Sequence, residues 1–432
     1  MSEVSKLKAC RACGNQQLVF VGSLGTQYVV GFPKCSDEKS GLQTPLNLLL
    51  CTNCKLLQLE HMVAPDRLFR NFWYRSSINE FMRAALADVV KKAIDVVGGL
   101  DCGDSVCDIG SNDGTLLANY HRSIHTVGFE PCKEMANIDC TSDILISDYF
   151  PSSLDLKDRR ERWRKPGCKI ITAIAMFYDV NDPRQFLTDV KKLLHPEGVF
   201  VLQMNHLRAM ISDCTFDNIA QEHLCYYSFK TLEKVLNTAG LRVRDVEENG
   251  VNGGSLRVYV SHKETIPKGL ADRLDECNAR IERLCKAEIE EKISDTGTIS
   301  SFFWRQHTVS KILSRCIREL TAQGKKVYVY GASTRGTVIL QTLDEDVWPM
   351  LCGAADRDER KMGRMMVGTW TPIVSETEGR KKADYFLVLP YGFLSGFLER
   401  EKEWMGKGGK IIVPLPIPKI IRRKTELIVE EL

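Results

Sequence analysis

The chain has 432 residues, enough for two to four domains at roughly 150 residues each, and its 44% hydrophobic, 27% charged and 8% aromatic composition is that of a globular protein. Lys and Arg total 59 against 56 Asp and Glu, and a net charge of +3 gives no broad basic field, which argues against nucleic acid as the main partner. No apolar run reaches the roughly 18 residues of a membrane span and MSEVSKLKAC has no apolar signal core, so the expectation is a cytoplasmic chain with no membrane partner, whose 16 cysteines are metal ligands or buried thiols rather than disulfides.

The first segment carries two Cys-x-x-Cys pairs, Cys10/Cys13 and Cys51/Cys54. Two such knuckles bring four thiolates together as a tetrahedron around Zn²⁺, and Gly14 suits the tight turn that closes the first. Four protein ligands leave no open position, so the site is expected to be structural. Cys35, between the pairs, has no evident partner. The remaining cysteines are scattered singly, and Cys107, Cys168, Cys285 and Cys316 read as small buried hydrophobes. Short β-like runs surround Val19–Val21 and Leu46–Leu50.

A helix is predicted over about 75–98, where Phe81, Leu86, Val89, Val90 and Ile94 recur at helical steps. An α/β alternation follows, with strands Ser105–Ile109, His125–Glu130, Lys169–Ala175 and Gly198–Met204 and a helix at Pro183–Leu194, which implies a parallel sheet. The first strand runs into Asp108-Ile-Gly110-Ser-Asn112-Asp113-Gly114, predicted to open a helix. Its glycines allow a tight turn and let a ligand lie on bare backbone. Glu130, at the end of the next strand, is placed to hold both hydroxyls of a ribose. Asp-x-Gly-x-x-x-Gly followed by that acid is the pattern of S-adenosylmethionine-binding methyltransferases with a Rossmann-like fold, not the dinucleotide G-x-G-x-x-G.

Phe216 to Ser228 gathers Asp217, Glu222, His223, Tyr226 and Tyr227; a His beside a Glu on a loop makes an oriented base. From about 266 to 322 two apolar stripes, Leu270 to Leu284 and Val309 to Leu320, predict a packed helical pair. A second α/β unit then begins, with strands Val327–Tyr330, Cys352–Asp356, Asp384–Pro390 and Lys410–Val413. Its loop Gly331-Ala-Ser333-Thr334-Arg335-Gly336 is not a Walker loop, because Thr337 stands where Lys would be required. Backbone amides at a helix start with Ser, Thr and Arg suit a diphosphate; plain helix capping accounts for the same residues. Asp356 either holds a ribose or caps the next turn.

In order along nearly the whole chain come C-R-A-C-G and C-T-N-C-K-L-L-Q-L, Y-R-S-S-I-N-E at 74–80, D-I-G-S-N-D-G-T-L-L, F-D-N-I-x-x-E-H-L-x-Y-Y-S, G-G-S-L-R at 253–257, Y-G-A-S at 330–333 and A-A-D-R at 354–357. With this series the chain resembles the sugar C-methyltransferase family. The resemblance implies an α/β protein of three parts: a four-cysteine zinc-binding module (1–72), a Rossmann-like methyltransferase domain (73–262), and a helical linker with a C-terminal Rossmann-like, nucleotide-sugar-binding domain (263–432). It implies S-adenosylmethionine and structural Zn²⁺ as cofactors and a nucleotide-linked keto-deoxysugar as substrate. His223 matches the family's base, Glu222 its neighbour, and Tyr74 an N-terminal tyrosine of the active site. Candidate donor-binding residues are Asp108, Gly110, Asn112, Asp113, Gly114, Glu130 and Phe177; candidate substrate-binding residues are Ser333, Thr334, Arg335 and Asn252. The chain departs from the family at Ala220-Gln221, where Tyr-His or Gly-His is usual, and at Asn252, usually His. The alternatives left open are an O-methyltransferase, a nicotinamide-dependent oxidoreductase using the 331–336 loop, and a non-catalytic sugar-nucleotide binder. Oligomeric state is not fixed; a monomer is compatible with the sequence.

Overall fold

In the computed structural model the described residues are 3–35, 37, 39–138, 141–151, 167–423 and 426–432. The Cys-bearing segment forms β1 (Val4–Lys6), β2 (Leu18–Tyr28), β3 (Gln43–Cys51), β4 (Leu57–Leu59) and β5 (His61–Val63). β2, β3 and β4 pair antiparallel, while β1 and β5 make a separate ribbon. The predicted runs at 19–21 and 46–50 lie within β2 and β3.

The central sheet takes β6 (Ser105–Ile109), β7 (His125–Phe129), β8 (Ile144–Ile146), β9 (Cys168–Ile174) and β10 (Leu194–Asn205). After the short β11 (Cys225–Tyr226), it is completed by β12 (Leu241–Asn249) and β13 (Ser255–His262). Strand order is β12-β13-β10-β9-β6-β7-β8. β10, β9, β6, β7 and β8 are parallel, and β13 and β12 join antiparallel at the β10 edge. All five residues of β6 are buried, as expected for a strand covered on both faces. The chain runs outward from β6 to β8 and returns on the other side as β9. A doubly wound sheet opens its ligand crevice at such a reversal, at the carboxyl ends of the strands.

The C-terminal sheet contains β14 (Val327–Tyr330), β15 (Leu351–Asp356), β16 (Met365–Met366), β17 (Thr371–Ser375), β18 (Tyr385–Val388), β19 (Lys410–Val413), β20 (Lys419–Arg423) and β21 (Leu427–Glu431). Its order is β16-β17-β15-β14-β18-β19-β20-β21. Its reversal lies between β14 and β18, which places the 331–336 loop at the corresponding position. One apolar cluster runs through all three units, including Leu48, Phe216, Tyr227, Leu313 and Leu340. β11 joins the Cys-bearing sheet by pairing with β4, so the segment after His223 is a strand of a sheet far from it in sequence.

Three expectations are corrected. The first glycine loop opens no α-helix: a single 3₁₀ turn, Leu117–Asn119, precedes the extended and buried Tyr120. The Asn119 side chain donates to the Thr115 and Leu116 carbonyls and so satisfies acceptors that a longer helix would use. The two long helices, Leu274–Glu290 and Thr296–Ala322, are not a packed pair. The first lies on β12 and the helix Phe229–Thr238, the second against β2 and β14; each apolar stripe covers a different sheet. The helix predicted over 75–98 is α only from Glu80 to Val97, and Phe81 is 48% exposed, its ring edge-on to Phe393 of the C-terminal unit.

Candidate active site

The first glycine loop stands at the carboxyl end of β6. Gly110 and Gly114 both have φ of 75°, the left-handed region that favours glycine. A Cβ on Gly110 would lie 3.3 Å from Met176, so the loop approaches the turn after β9 closely. Glu130, just past β7, accepts the backbone N–H of Asn112 at 2.8 Å and of Cys132 at 2.7 Å. Each carboxylate oxygen keeps a second lone pair, so the acid can receive ribose hydroxyls while tied to the loop. Burial raises its carboxyl above the usual range, opposed by the Cys132 and Asn112 amides. These features fit S-adenosylmethionine: bare backbone at the crevice and an acid with spare acceptor capacity beside it.

The other donor candidates are placed differently. Asp108 is buried and accepts the Thr172 hydroxyl at 2.5 Å, bracing β6 against β9. Asn112 has φ of 54° and gives its side chain to the segment before the helix: Oδ1 accepts Ser76 N–H at 2.9 Å and Nδ2 donates to the Tyr74 carbonyl at 3.0 Å. Asp113 accepts Ser77 N–H at 3.0 Å. Burial pushes the Asp113 carboxyl up, but the Ser77 and Thr115 hydrogen bonds outweigh it and hold it below the usual range. Tyr74 is thereby held beside the glycine loop, with its side chain partly exposed. Phe177 is fully buried, stacked on Tyr227 with centroids 5.4 Å apart, so its contacts are those of the core.

His223 sits in a buried turn. Its Nδ1 lies 2.6 Å from the Asn218 carbonyl, which can only accept; Nδ1 therefore carries the hydrogen and Nε2 the lone pair. Burial pushes the imidazole down to about 4, opposed by the Asn218 carbonyl and assisted by the Arg335 charge. The ring is neutral at pH 7 and packs against Tyr178 at 4.3 Å between centroids. Leu224 fixes the turn from both sides, donating its N–H to the Tyr178 carbonyl and accepting Leu59 N–H, each at 2.9 Å. Ala220 and Gln221 are fully buried, and Gln221 donates to the Tyr28 carbonyl at 3.3 Å, tying the His223 turn to β2. The cavity bordered by His223, Tyr178, His206 and Met210 is only about 10 Å³, the size of one water.

Asp179 is the residue the sequence reading missed. It lies on the turn Phe177–Asp179 after β9, with Oδ1 buried and without a hydrogen-bond partner among the described residues. Burial, and the charge of Glu222, hold its carboxyl well above the usual range; burial also raises Glu222. The one available signal was an acid in the turn after a parallel strand, where a crevice opens.

Arg335 does not face outward for a phosphate. Its Nη2 lies 2.7 Å from Asp217 Oδ2, its Nε donates to the same carboxylate at 2.9 Å, and its Nη1 donates to the Asn252 carbonyl at 2.6 Å. Tyr391 donates its hydroxyl to Asp217 Oδ1 at 2.8 Å. Asn252, at φ 54°, thus meets Arg335 through its backbone. Ser333 caps the helix Thr334–Gln341 by accepting Gly336 N–H at 3.0 Å, and Thr334 opens that helix. Asp356 accepts Ala332 N–H at 2.7 Å and Asp358 N–H at 2.8 Å, the same pattern that Glu130 makes in the central sheet. The diphosphate expectation is corrected in this respect: the guanidinium is committed to an internal ion pair.

The four cysteines of the two knuckles converge, all sulfurs within 4.8 Å of one another. Cys10 and Cys54 Sγ are 3.5 Å apart and Cys13 and Cys51 Sγ 3.6 Å, close to the edge of about 3.8 Å that a tetrahedron with 2.3 Å Zn–S bonds requires. Gly14 and Lys55, each just after a knuckle, have φ of 74° and 64°. Asn15 and Asn53 point side-chain amides at Cys51 and Cys13, both at 3.7 Å, donors that suit thiolates. The chemistry of the set fits one structural Zn²⁺. Cys107, Cys168 and Cys316 are buried as expected; Cys285 is partly buried and Cys35 exposed.

Comparison with known proteins gives three consecutive family matches: a zinc binding domain at residues 10–69, a methyltransferase domain at 78–246 and a C-methyltransferase C-terminal domain at 250–416. The chain is 27% identical to the C-methyltransferase NovU of Streptomyces niveus over 441 residues, covering 98% of this chain and 99% of that protein. Among solved structures, an S-adenosylmethionine-dependent methyltransferase from Clostridium acetobutylicum is 12% identical with a TM-score of 0.30, covering 42% of this chain and 92% of that one. Magnesium protoporphyrin IX methyltransferase from Synechocystis, with bound S-adenosylmethionine, is 10% identical with a TM-score of 0.31, covering 42% of this chain and 79% of that one. No helix among the described residues is long and apolar enough to cross a membrane.

Proposed function

Since the chain belongs to the S-adenosylmethionine-dependent C-methyltransferases with an N-terminal zinc-binding domain, we propose that its acceptor is the carbon beside the ketone of a nucleotide-linked keto-deoxysugar, with His223 as the base. The observation that carries this reading is the His223 tautomer: Nδ1–H held by the Asn218 carbonyl leaves Nε2 as a fixed, unprotonated acceptor. A ketone makes the adjacent C–H acidic. His223 Nε2 takes that proton, and the C–H electron pair becomes the enolate. When bound, S-adenosylmethionine would supply an electrophilic sulfonium methyl for the enolate carbon to take, leaving its sulfur as a neutral thioether. Fixing carbon and methyl in line supplies much of the rate. Glu130 and the 110–114 loop hold the donor, with Tyr74 beside it. Ser333, Thr334 and the amides of the second glycine loop remain the proposed contacts for the nucleotide part, while Arg335 and Asn252 shape that loop's approach to His223.

The division at 72/73 and 262/263 is part of the proposal, and so is a cytoplasmic setting, which suits a chain rich in unpaired thiols. The enzyme assignment replaces the oxidoreductase and non-catalytic alternatives. The test is incubation with S-adenosylmethionine and a panel of 4-keto sugar nucleotides deuterated beside the carbonyl, read by mass spectrometry. Gain of a methyl with loss of one deuterium is the expected result. Gain with every deuterium retained would make the acceptor an oxygen, and no transfer to any keto sugar would overturn the substrate class.

A further inference from the structure

Residues 70–77 leave the Cys-bearing unit and cross the donor crevice before the helix Glu80–Val97 begins. Among them only Ser76 is buried, and Trp73 packs partly buried against the core, edge-on to Phe32, with its carbonyl accepting from Arg360 at 3.1 Å. The segment's contacts to the residues that flank the crevice are polar. At one end Arg70 donates to Asp148 at 2.8 Å and to the Pro131 carbonyl at 3.3 Å, with its guanidinium 4.7 Å from the Tyr149 ring centroid. Pro131 follows Glu130 directly, and Asp148 follows β8, so one side chain joins Glu130's own loop to the loop after the neighbouring strand. An open surface hollow of about 570 Å³ is bordered by Asp66, Arg70, Asn71, Lys133, Ser147 and Asp148 at this end. At the other end the Asn112 side chain exchanges two hydrogen bonds with the Tyr74 carbonyl and Ser76 N–H, and Asp113 accepts Ser77 N–H. Midway, the Cys132 thiol faces the Phe72 carbonyl at 3.8 Å.

We propose that Arg70 and Asn112 are positioning residues for the methyl donor, docking residues 70–77 as a strap across its crevice so that strap docking and donor binding reinforce one another. The strap touches the glycine loop and the loops after β7 and β8, the same backbone that a bound donor orders. Anything that binds the docked form better than the undocked form shifts the chain toward it, and the coupling is reciprocal. Asn112 also fixes where Tyr74 stands. The inference rests on the donor assignment and adds that a segment from outside the central sheet is part of the donor site.

The experiment uses the full-length protein and S-adenosylhomocysteine. Calorimetry gives its Kd, and hydrogen exchange reports the Ser76 and Ser77 amides. In the wild type the ligand slows exchange across 70–78. Arg70→Ala and Asn112→Ala each weaken binding about tenfold, the scale of one or two lost charge-assisted or amide hydrogen bonds, and lose the ligand-induced protection. Arg70→Lys, which keeps charge without the guanidinium fork, recovers part of the affinity. The unliganded melting temperature of Arg70→Ala stays near the wild type, since that guanidinium is partly exposed; Asn112→Ala lowers it, because alanine tolerates φ of 54° less well than asparagine, so Arg70→Ala carries the comparison. Unchanged Kd in both alanine variants, or strap exchange indifferent to ligand in the wild type, overturns the proposal. A wild type that binds no S-adenosylhomocysteine overturns the donor assignment beneath it, a separate and recognisable result.

Discussion

A histidine that is neutral because it is buried behaves differently from one that is neutral because it is in alkaline solution. With its imidazole pushed down to about 4, His223 remains a free base through the whole neutral range, so the acid limb of kcat/KM falls through about pH 4 rather than near the ordinary 6.5. A limb near 6.5 would show that the residue is hydrated in the free enzyme. The same shift carries a stability consequence. Between pH 6.5 and 4 the unfolded chain takes up the proton and the folded turn does not, so this contribution to stability is lost as pH falls through that window, on the order of 3 kcal/mol at most. His223→Gln removes it: the urea midpoint of the variant drops less than that of the wild type between pH 7 and 5, while methyl transfer is lost. The neighbouring acids have the opposite sign. Asp179 is raised by burial and by the charge of Glu222, and Glu222 by burial, so both oppose folding once pH exceeds the unfolded carboxylate value. Asp179→Asn, which removes a buried ionisable group at nearly constant shape, should raise the melting temperature at pH 8 by about 1 °C, the effect of about 1 kcal/mol on a chain of 432 residues. A lower melting temperature would mean that Asp179 is ionised and paired in solution.

At the level of elements, the contacts that matter join segments distant in sequence. Arg335, the second residue of the helix Thr334–Gln341, reaches across to Asp217 in the loop before His223; both are largely buried, and Tyr391 from the turn after β18 closes the pair. Removing one partner of a buried ion pair leaves a charge without compensation. Arg335→Ala is therefore expected to cost about 3–5 kcal/mol, and the double change with Asp217→Asn less than the sum of the two, in a denaturant cycle. Additivity would place the two side chains apart in solution. This pair also shows where sequence reading stops. The strands Ser105–Ile109, Val327–Tyr330 and Lys410–Val413 were legible to the residue, because each is a short apolar run bounded by turns. Arg335 beside two glycines looks the same in sequence whether it faces a phosphate or an aspartate 118 positions away. The two apolar helices were likewise legible as helices, but a stripe says only that something covers it. The short 3₁₀ turn after Gly114 was hidden because Asn119 ends the helix by a side-chain bond that no periodicity records.

At the scale of the whole molecule, the zinc site and the base loop form one construction. β11, two residues after His223, hydrogen-bonds to β4, three residues after Cys54, and the Thr231 hydroxyl donates to the Cys54 carbonyl at 3.2 Å. Gln221 reaches β2 from the same loop. The cysteine spacing made the metal legible, but not that its sheet would include a strand from the far side of the methyltransferase domain. Because the sheet is small, its folding depends on the ion, and losing it releases the backbone that aims His223 Nε2. Chelation should therefore abolish methyl transfer and lower the melting temperature together, with one zinc released per chain. That outcome alone would not separate a scaffolding ion from a catalytic one. Replacement by Cd²⁺, which also favours four thiolates, does so. A closed site of four thiolates has no position for water or substrate, so the Cd²⁺ protein should recover transfer with the same kcat and the same acid limb. A metal that took part in the reaction would shift that limb when exchanged, because the acidity of what it binds depends on the ion. An unchanged pH profile after the swap is the expected result, and a displaced one would move the metal from the scaffold into the chemistry.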